Sequence, residues 1–218
     1  MSDESLFREV DEEVRQERFK KLWGRYGNAV IGAGVLIIVG VAGMEGWRYV
    51  QLKQSEAAGD KFFAAAGLVG AGKAADAVKD FEAIGQTGFA DLGRLRAAAE
   101  LVAGARAEEG VKLYDAIAAD AGIDQTLRDI ARIRAAAALA DSEAFADLES
   151  RLKEFAAPGN PWRHVAREIM AAAQFRLKDY AGADKQVQAI LADPETPAAL
   201  RNRAEKMSQL LLPMAPAK

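Results

Sequence analysis

Arginines recur at one place in successive helical segments, and they are the side chains best suited to recognition chemistry. Leu92-Gly-Arg94-Leu95-Arg96-Ala97, Ile130-Ala-Arg132-Ile133-Arg134-Ala135 and Val165-Ala-Arg167 follow one another at spacings of 38 and then 35 residues. A guanidinium is always charged, weakly hydrated and planar, and its fork of donors matches a carboxylate. Equivalent positions of a repeat stack into a column across one surface. Arg94, Arg132 and Arg167 are therefore candidate partner-binding residues for an acidic or extended peptide, and Arg96 and Arg134 add a second aligned pair. The competing reading pairs each arginine with an acid on a neighbouring helix. Such exposed pairs contribute only ~0–1 kcal/mol and do no more than solvate the surface.

Catalytic chemistry finds few candidates. The chain has one histidine, His164, and no cysteine. A lone histidine builds neither a metal site nor a Ser/His/Asp triad, and it reads as a surface or capping residue. Without cysteine there are no disulfides, zinc thiolates or thiol nucleophiles. Glu108-Glu109 is the most visible carboxylate pair, but adjacent residues diverge around a helix. Gly67-Leu-Val-Gly-Ala-Gly72-Lys73-Ala74 approaches the phosphate-binding pattern G-x-x-x-x-G-K-[ST]. Ala74 lacks the hydroxyl that holds magnesium, and the preceding Lys61-Phe-Phe-Ala-Ala-Ala66 is a helical run rather than a strand. A glycine-rich turn between helices is expected there. No catalytic residue, cofactor-binding residue, cofactor or metal ligand is expected.

The elements that carry the arginines are helices. Alanine dominates after residue 50, and β-branched residues are sparse, which favours helix over sheet. Helical runs are expected at about 73–85, 89–104, 107–121, 125–140, 142–156, 162–177, 179–192 and 197–211. They are separated by Gly85-Gln-Thr-Gly88, Gly104, Gly122, Asp141-Ser142, Pro158-Gly-Asn-Pro161, Lys178-Asp179 and Asp193-Pro-Glu-Thr-Pro197, which are stop and start signals. Short breaks make neighbouring helices antiparallel. Each arginine motif opens a hairpin. Lys178-Asp-Tyr180-Ala-Gly-Ala183, then Ile190 and Asp193-Pro194, reads as the second helix of a tetratricopeptide repeat. Gly110 fills the small-residue position of an earlier hairpin. The expectation is an all-α chain: one N-terminal transmembrane helix followed by a tetratricopeptide-like helical-hairpin solenoid of about three pairs, with capping helices.

The anchor is Tyr26 to Met44, nineteen residues without a charge. As a helix it is ~28 Å long, close to the ~30 Å hydrocarbon core of a bilayer. Trp23, Arg25 and Tyr26 stand at one end and Trp47, Arg48 and Tyr49 at the other, the belt expected at headgroup level. Arg15, Arg18, Lys20, Lys21 and Arg25 crowd the near side, against Arg48 and Lys53 beyond. The excess marks the cytoplasmic side, so the N-terminus is expected inside. The leading segment is too long and acidic, and the apolar run too long, for a cleaved signal peptide. Residues 4–22 read as an amphipathic helix with Leu6, Val10 and Val14 on one face and Ser2 or Asp3 as cap. The expected division is a cytoplasmic tail at 1–25, an anchor at 26–46 and a helical domain at 47–218. Charge is balanced on either side of Glu45, at −3 overall. That excludes the basic excess of a nucleic-acid binder.

In order, the charged tail, single membrane helix, Gly46-Trp47-Arg48-Tyr49 at its exit, degenerate repeats and a last helix introduced by Thr196-Pro197-Ala198 resemble the YfgM-like family. That family is described as an ancillary subunit of the bacterial Sec translocon. The resemblance implies a single-pass inner-membrane protein with a periplasmic repeat domain. It implies contact with Sec translocon subunits and with a membrane-tethered periplasmic chaperone of prolyl-isomerase type. Two functions follow as expectations: a translocon-associated adaptor or chaperone, and a scaffold of another envelope complex.

Overall fold

The first proline of the chain is Pro158, and no residue before it forbids a helix. The computed structural model describes the backbone of residues 3–85 and 88–214, and side chains from Arg15 onward within them except at 16 and 17. Its first helix, α1 (Asp3–Gly70), runs without interruption. The sequence divides this stretch at Leu22, yet glycine inside a helix costs only ~1 kcal/mol relative to alanine, and Gly24 and Gly27 are carried through. The Leu6-Val10-Val14 stripe and the Ser2 or Asp3 cap lie outside the described side chains.

The chain divides into two compact units, Met1–Glu56 and Ala57–Lys218. The first is helical over its described length. Its best window has a mean hydropathy of 2.0 and only 6% of it is buried. Among the described residues this is the one helix long and apolar enough to cross a membrane. Leu36, Ile37 and Ile38 are all more than half exposed.

The second unit holds the end of α1 and then α2 (Ala74–Glu82), α3 (Gly88–Ala103), α4 (Ala107–Ala119), α5 (Gln125–Leu139), α6 (Phe145–Leu152), α7 (Arg163–Arg176), α8 (Tyr180–Ala192) and α9 (Ala198–Leu211). No strand occurs among the described residues. The pairs α3–α4, α5–α6 and α7–α8 are helical hairpins, led by α2 and closed by α9. α6 is shorter than the expected 142–156. The Ser142 and Glu143 amides bond back to the Leu139 carbonyl, finishing α5. At the other end the helix gives way after Leu152 to a turn in which the Ala156 amide bonds back to the Leu152 carbonyl at 2.9 Å, and Pro158 restricts the residue before it.

Alternate sides of the first helix of each hairpin serve two cores. On α3, Ala97 joins Ala58, Ala65, Val78 and Phe81, while Ala98 faces Tyr114, Ile117 and Ala131. On α5, Ala135 belongs to that second core and Ile133 and Ala136 to a third, with Leu148, Leu152 and Met170. On α7, Ala173 completes the third and Ala171 opens a fourth, with Val187, Ile190 and Leu211. Each layer therefore rests on its neighbour, as in a solenoid. Small residues set the spacing. A Cβ on Gly110 of α4 would stand 2.7 Å from the Ala98 carbonyl oxygen of α3, so only glycine permits that approach.

Candidate functional site

The aromatic and basic side chains flanking the apolar stretch lie on α1, Trp23 and Trp47 separated by ~36 Å along a helix. Trp23 is stacked on Phe19 at 6.1 Å between ring centres, and its ring covers Gly27. Arg25 lies over the Tyr26 ring at 5.8 Å. Beyond the stretch, Arg48 reaches Glu45 at 3.0 Å, and Trp47 and Tyr49 are exposed.

The three repeated arginines occupy matching places, each reaching toward the end of a neighbouring second helix. Arg94 of α3 donates to Asp120 at 3.2 Å, just after α4. The Gly122 amide and then Arg94 hold the Asp120 carboxyl below the ordinary range. Arg132 of α5 lies 3.8 Å from Glu154, just after α6. Arg167 of α7 donates to the Ala189 carbonyl of α8 at 3.4 Å and to Ala156 at 3.2 Å. These are the carbonyl-rich ends of helices, where positive charge is favoured. The arginines open on different recesses. Arg94 lines one of about 650 Å³ with Asp91 and Asp120. Arg132 lines one of about 400 Å³ with Asp115, Arg151 and Glu154. Arg96 pairs with Glu100 at 2.8 Å, and Arg134 is exposed.

A cluster that the sequence reading missed sits where the α8–α9 turn meets the start of α7. Arg163 donates to Asp193 at 2.7 Å and to Glu195 at 2.6 Å. His164 Nε2 lies 3.0 Å from the same Asp193 oxygen. Arg163 is 8% exposed and His164 4%, so His164, expected as a surface or capping residue, is in fact buried. Arg201 clamps the turn from α9 through the Leu191 and Asp193 carbonyls, both at 2.8 Å. Arg163 above all, then the Glu195 amide, holds the Asp193 carboxyl far below the ordinary carboxylate range. The spacing of 30 residues between these partners carries no local sequence signal; the nearest cue was the acid beside Pro194.

The glycine-rich stretch closes α1. Lys73 N–H donates to Leu68 at 2.9 Å and Gly72 N–H to Val69 at 3.0 Å, with Gly72 at φ 76°. This is a Schellman cap. The amides of Ala71, Gly72 and Lys73 are thereby bonded back to the end of α1. An apolar groove of about 300 Å³ lies over α7, α8 and α9, with Ala171, Val187, Ile190 and Met207 among its walls. Arg203 of α9 and Glu168 of α7 pair at its edge at 2.8 Å. Among the described residues no three metal-ligating side chains converge. The arrangement offers packing surface and paired charges, which suit protein recognition.

Residues 20–157 match the model of the family described as the tetratricopeptide repeat-like domain. The match takes in more than half of the chain, from the apolar part of α1 through α6, and the protein belongs to this family. No curated protein and no solved structure matches the chain.

Proposed function

We propose that this tetratricopeptide-repeat-like protein is a membrane-anchored adaptor that works by protein–protein interaction at the bacterial inner membrane. In this reading residues 1–25 are a cytoplasmic tail, 26–46 the anchor and 47–218 a periplasmic domain. Its partners are Sec translocon subunits and a membrane-tethered periplasmic chaperone of prolyl-isomerase type, with newly translocated chains as clients. The observation that carries the reading is the family match itself. It starts at residue 20 and so joins the apolar helix and the repeats in one unit of descent. The resemblance to the YfgM-like family supplies the translocon. The Lys/Arg excess before Tyr26 supplies the orientation.

On the repeat domain, Arg94 and Arg132 are proposed as partner contacts, because each opens on a recess shared with acids that an incoming carboxylate can replace. Arg167, held by two carbonyls, positions the hairpins behind them. Crosslinking in native membranes followed by purification in mild detergent tests the assignment. Translocon subunits and a periplasmic chaperone are expected to co-purify. Division or outer-membrane assembly proteins in their place would move the chain to another envelope complex. Arg94→Glu with Arg132→Glu should cut recovery of the periplasmic partner several-fold and leave helicity intact. Protease added to intact spheroplasts should remove residues 50–218 and spare the first 25.

A further inference from the structure

The two ends of the apolar stretch differ in what their cations touch. Beyond it, Arg48 pairs with Glu45 at 3.0 Å and Lys53 with Glu56 at 2.8 Å. Lys53 also stands 5.9 Å from the centre of the Tyr49 ring. Those charges are neutralised within the helix. Before it, Arg15, Arg18, Lys20, Lys21 and Arg25 fall within eleven residues that hold one acid, Glu17. Among the described residues, Arg15, Arg18 and Lys20 make no side-chain hydrogen bond or ion pair, and Arg25 meets only the Tyr26 ring. All four are exposed.

Arg15, Arg18 and Arg25 succeed one another at spacings of three and seven, so they share one helix face, with Lys20 beside them on the same two turns. Like charges at that spacing repel. Such a row needs an anionic counterpart, and its position says which. Phe19 and Trp23 stack beside it, and the nineteen uncharged residues start at Tyr26. An aromatic pair at the edge of a bilayer-length apolar helix lies at headgroup level. Basic clusters placed there attract anionic headgroups, by roughly fivefold per cation.

We infer that residues 15–25 form a binding site for the phosphodiester headgroups of anionic lipids, and that the Glu45–Glu56 end does not select lipid by charge. Arg15, Arg18, Lys20 and Arg25 supply the donors. Phe19 and Trp23 set the depth. The inference rests on the anchor reading, and its test separates the two.

The full-length chain is reconstituted into phosphatidylcholine vesicles holding a third phosphatidylglycerol, with bromine on either lipid. Trp47→Phe with Trp162→Phe leaves Trp23 as the only indole; Trp23→Phe with Trp162→Phe leaves Trp47. Brominated phosphatidylglycerol should quench Trp23 roughly twofold more than brominated phosphatidylcholine at equal fraction. Trp47 should be quenched equally by both. Replacing Arg15, Arg18, Lys20 and Arg25 by Gln should abolish the preference at Trp23 while its quenching by phosphatidylcholine persists. Equal quenching of Trp23 by both lipids overturns the site and leaves an acidic protein segment as its occupant. A preference that survives the four substitutions, or that appears equally at Trp47, overturns it too. No quenching of either indole by either lipid means the helix is outside the bilayer, and the anchor reading falls with the site.

Discussion

At the residue scale, Asp193 decides most. It receives Arg163 at 2.7 Å and the Glu195 amide at 2.9 Å, and touches His164 at 3.0 Å. Its carboxyl is held far below the usual carboxylate range, chiefly by Arg163. A depressed folded value means that the ionised form stabilises the fold. That stabilisation is fully present above the unfolded value near 3.9 and is lost as pH falls through the folded one. The thermal midpoint should therefore be insensitive to this group from pH 8 to about 5 and should decline below about 4. Asp193→Asn should lower the midpoint at neutral pH, because buried Arg163 then keeps only the exposed Glu195 as a carboxylate partner. It should also shrink the acid-dependent part. Melts of both chains from pH 2 to 8 provide the comparison, and coincident midpoints at pH 7 would show that the network adds nothing. Little of this was legible in the sequence. The arginine motifs showed themselves by repeating, whereas Arg163 and Asp193 meet only because α7 and the α8–α9 turn fold together. A lone histidine likewise looks solvated until the turn that buries it is in place.

At the element scale the breaks were legible because they are chemical. Gly72 at φ 76° ends α1, and Gly159 at φ 82° follows Pro158. Asp124 and Asp179 accept from the amides of Thr126 and Gly182 and so cap α5 and α8. The single course of α1 was less legible, since polarity changes along it although helicity does not. Two substitutions probe how closely the helices are fitted. Gly110→Ala brings a Cβ within 2.8 Å of backbone atoms of Ala98 and Val102. Overpacking of this kind costs ~1–3 kcal/mol, more than the helix propensity that alanine gains. Gly67→Ala, with nothing within 4 Å, should be neutral or stabilising by up to ~1 kcal/mol. Denaturant midpoints that fall for the first and hold for the second are expected. Lys178 adopts φ 63° where α7 ends, with the Asp179 amide bonded to Gln174 at 2.9 Å and the Lys178 amide to Phe175 at 3.0 Å. That is a left-handed cap filled by a residue with a Cβ. Lys178→Gly should raise stability by ~0.5–1 kcal/mol, the relief exceeding the added freedom of the unfolded chain.

At the scale of the whole molecule, layers that share helices make each end of the solenoid depend on what covers it. At the N-terminal end the cover is the last part of α1. Half-buried Phe62 packs on Phe81 at 5.2 Å and on Phe89 at 5.9 Å, and Ala58 and Ala65 on the same helix are buried. A chain starting at Ala57 keeps this layer and should be helical and monomeric, with one cooperative melt. A chain starting at Ala74 keeps every complete hairpin but bares Val78, Phe81 and Ala97. The truncation removes half-buried Phe62 together with buried Ala58 and Ala65; a fully buried phenylalanine alone is worth ~3–5 kcal/mol, so this loss is a substantial part of a domain's ~5–15 kcal/mol. The shorter chain should melt earlier, bind a hydrophobic dye and expose its first hairpin to protease, while α7–α9 exchange amide hydrogens at nearly the rate of the longer chain. That contrast follows from layers that touch only their neighbours. Uniform loss of protection from α2 to α9 would mean that the repeats fold as one indivisible core, and that the end of α1 belongs to all of them.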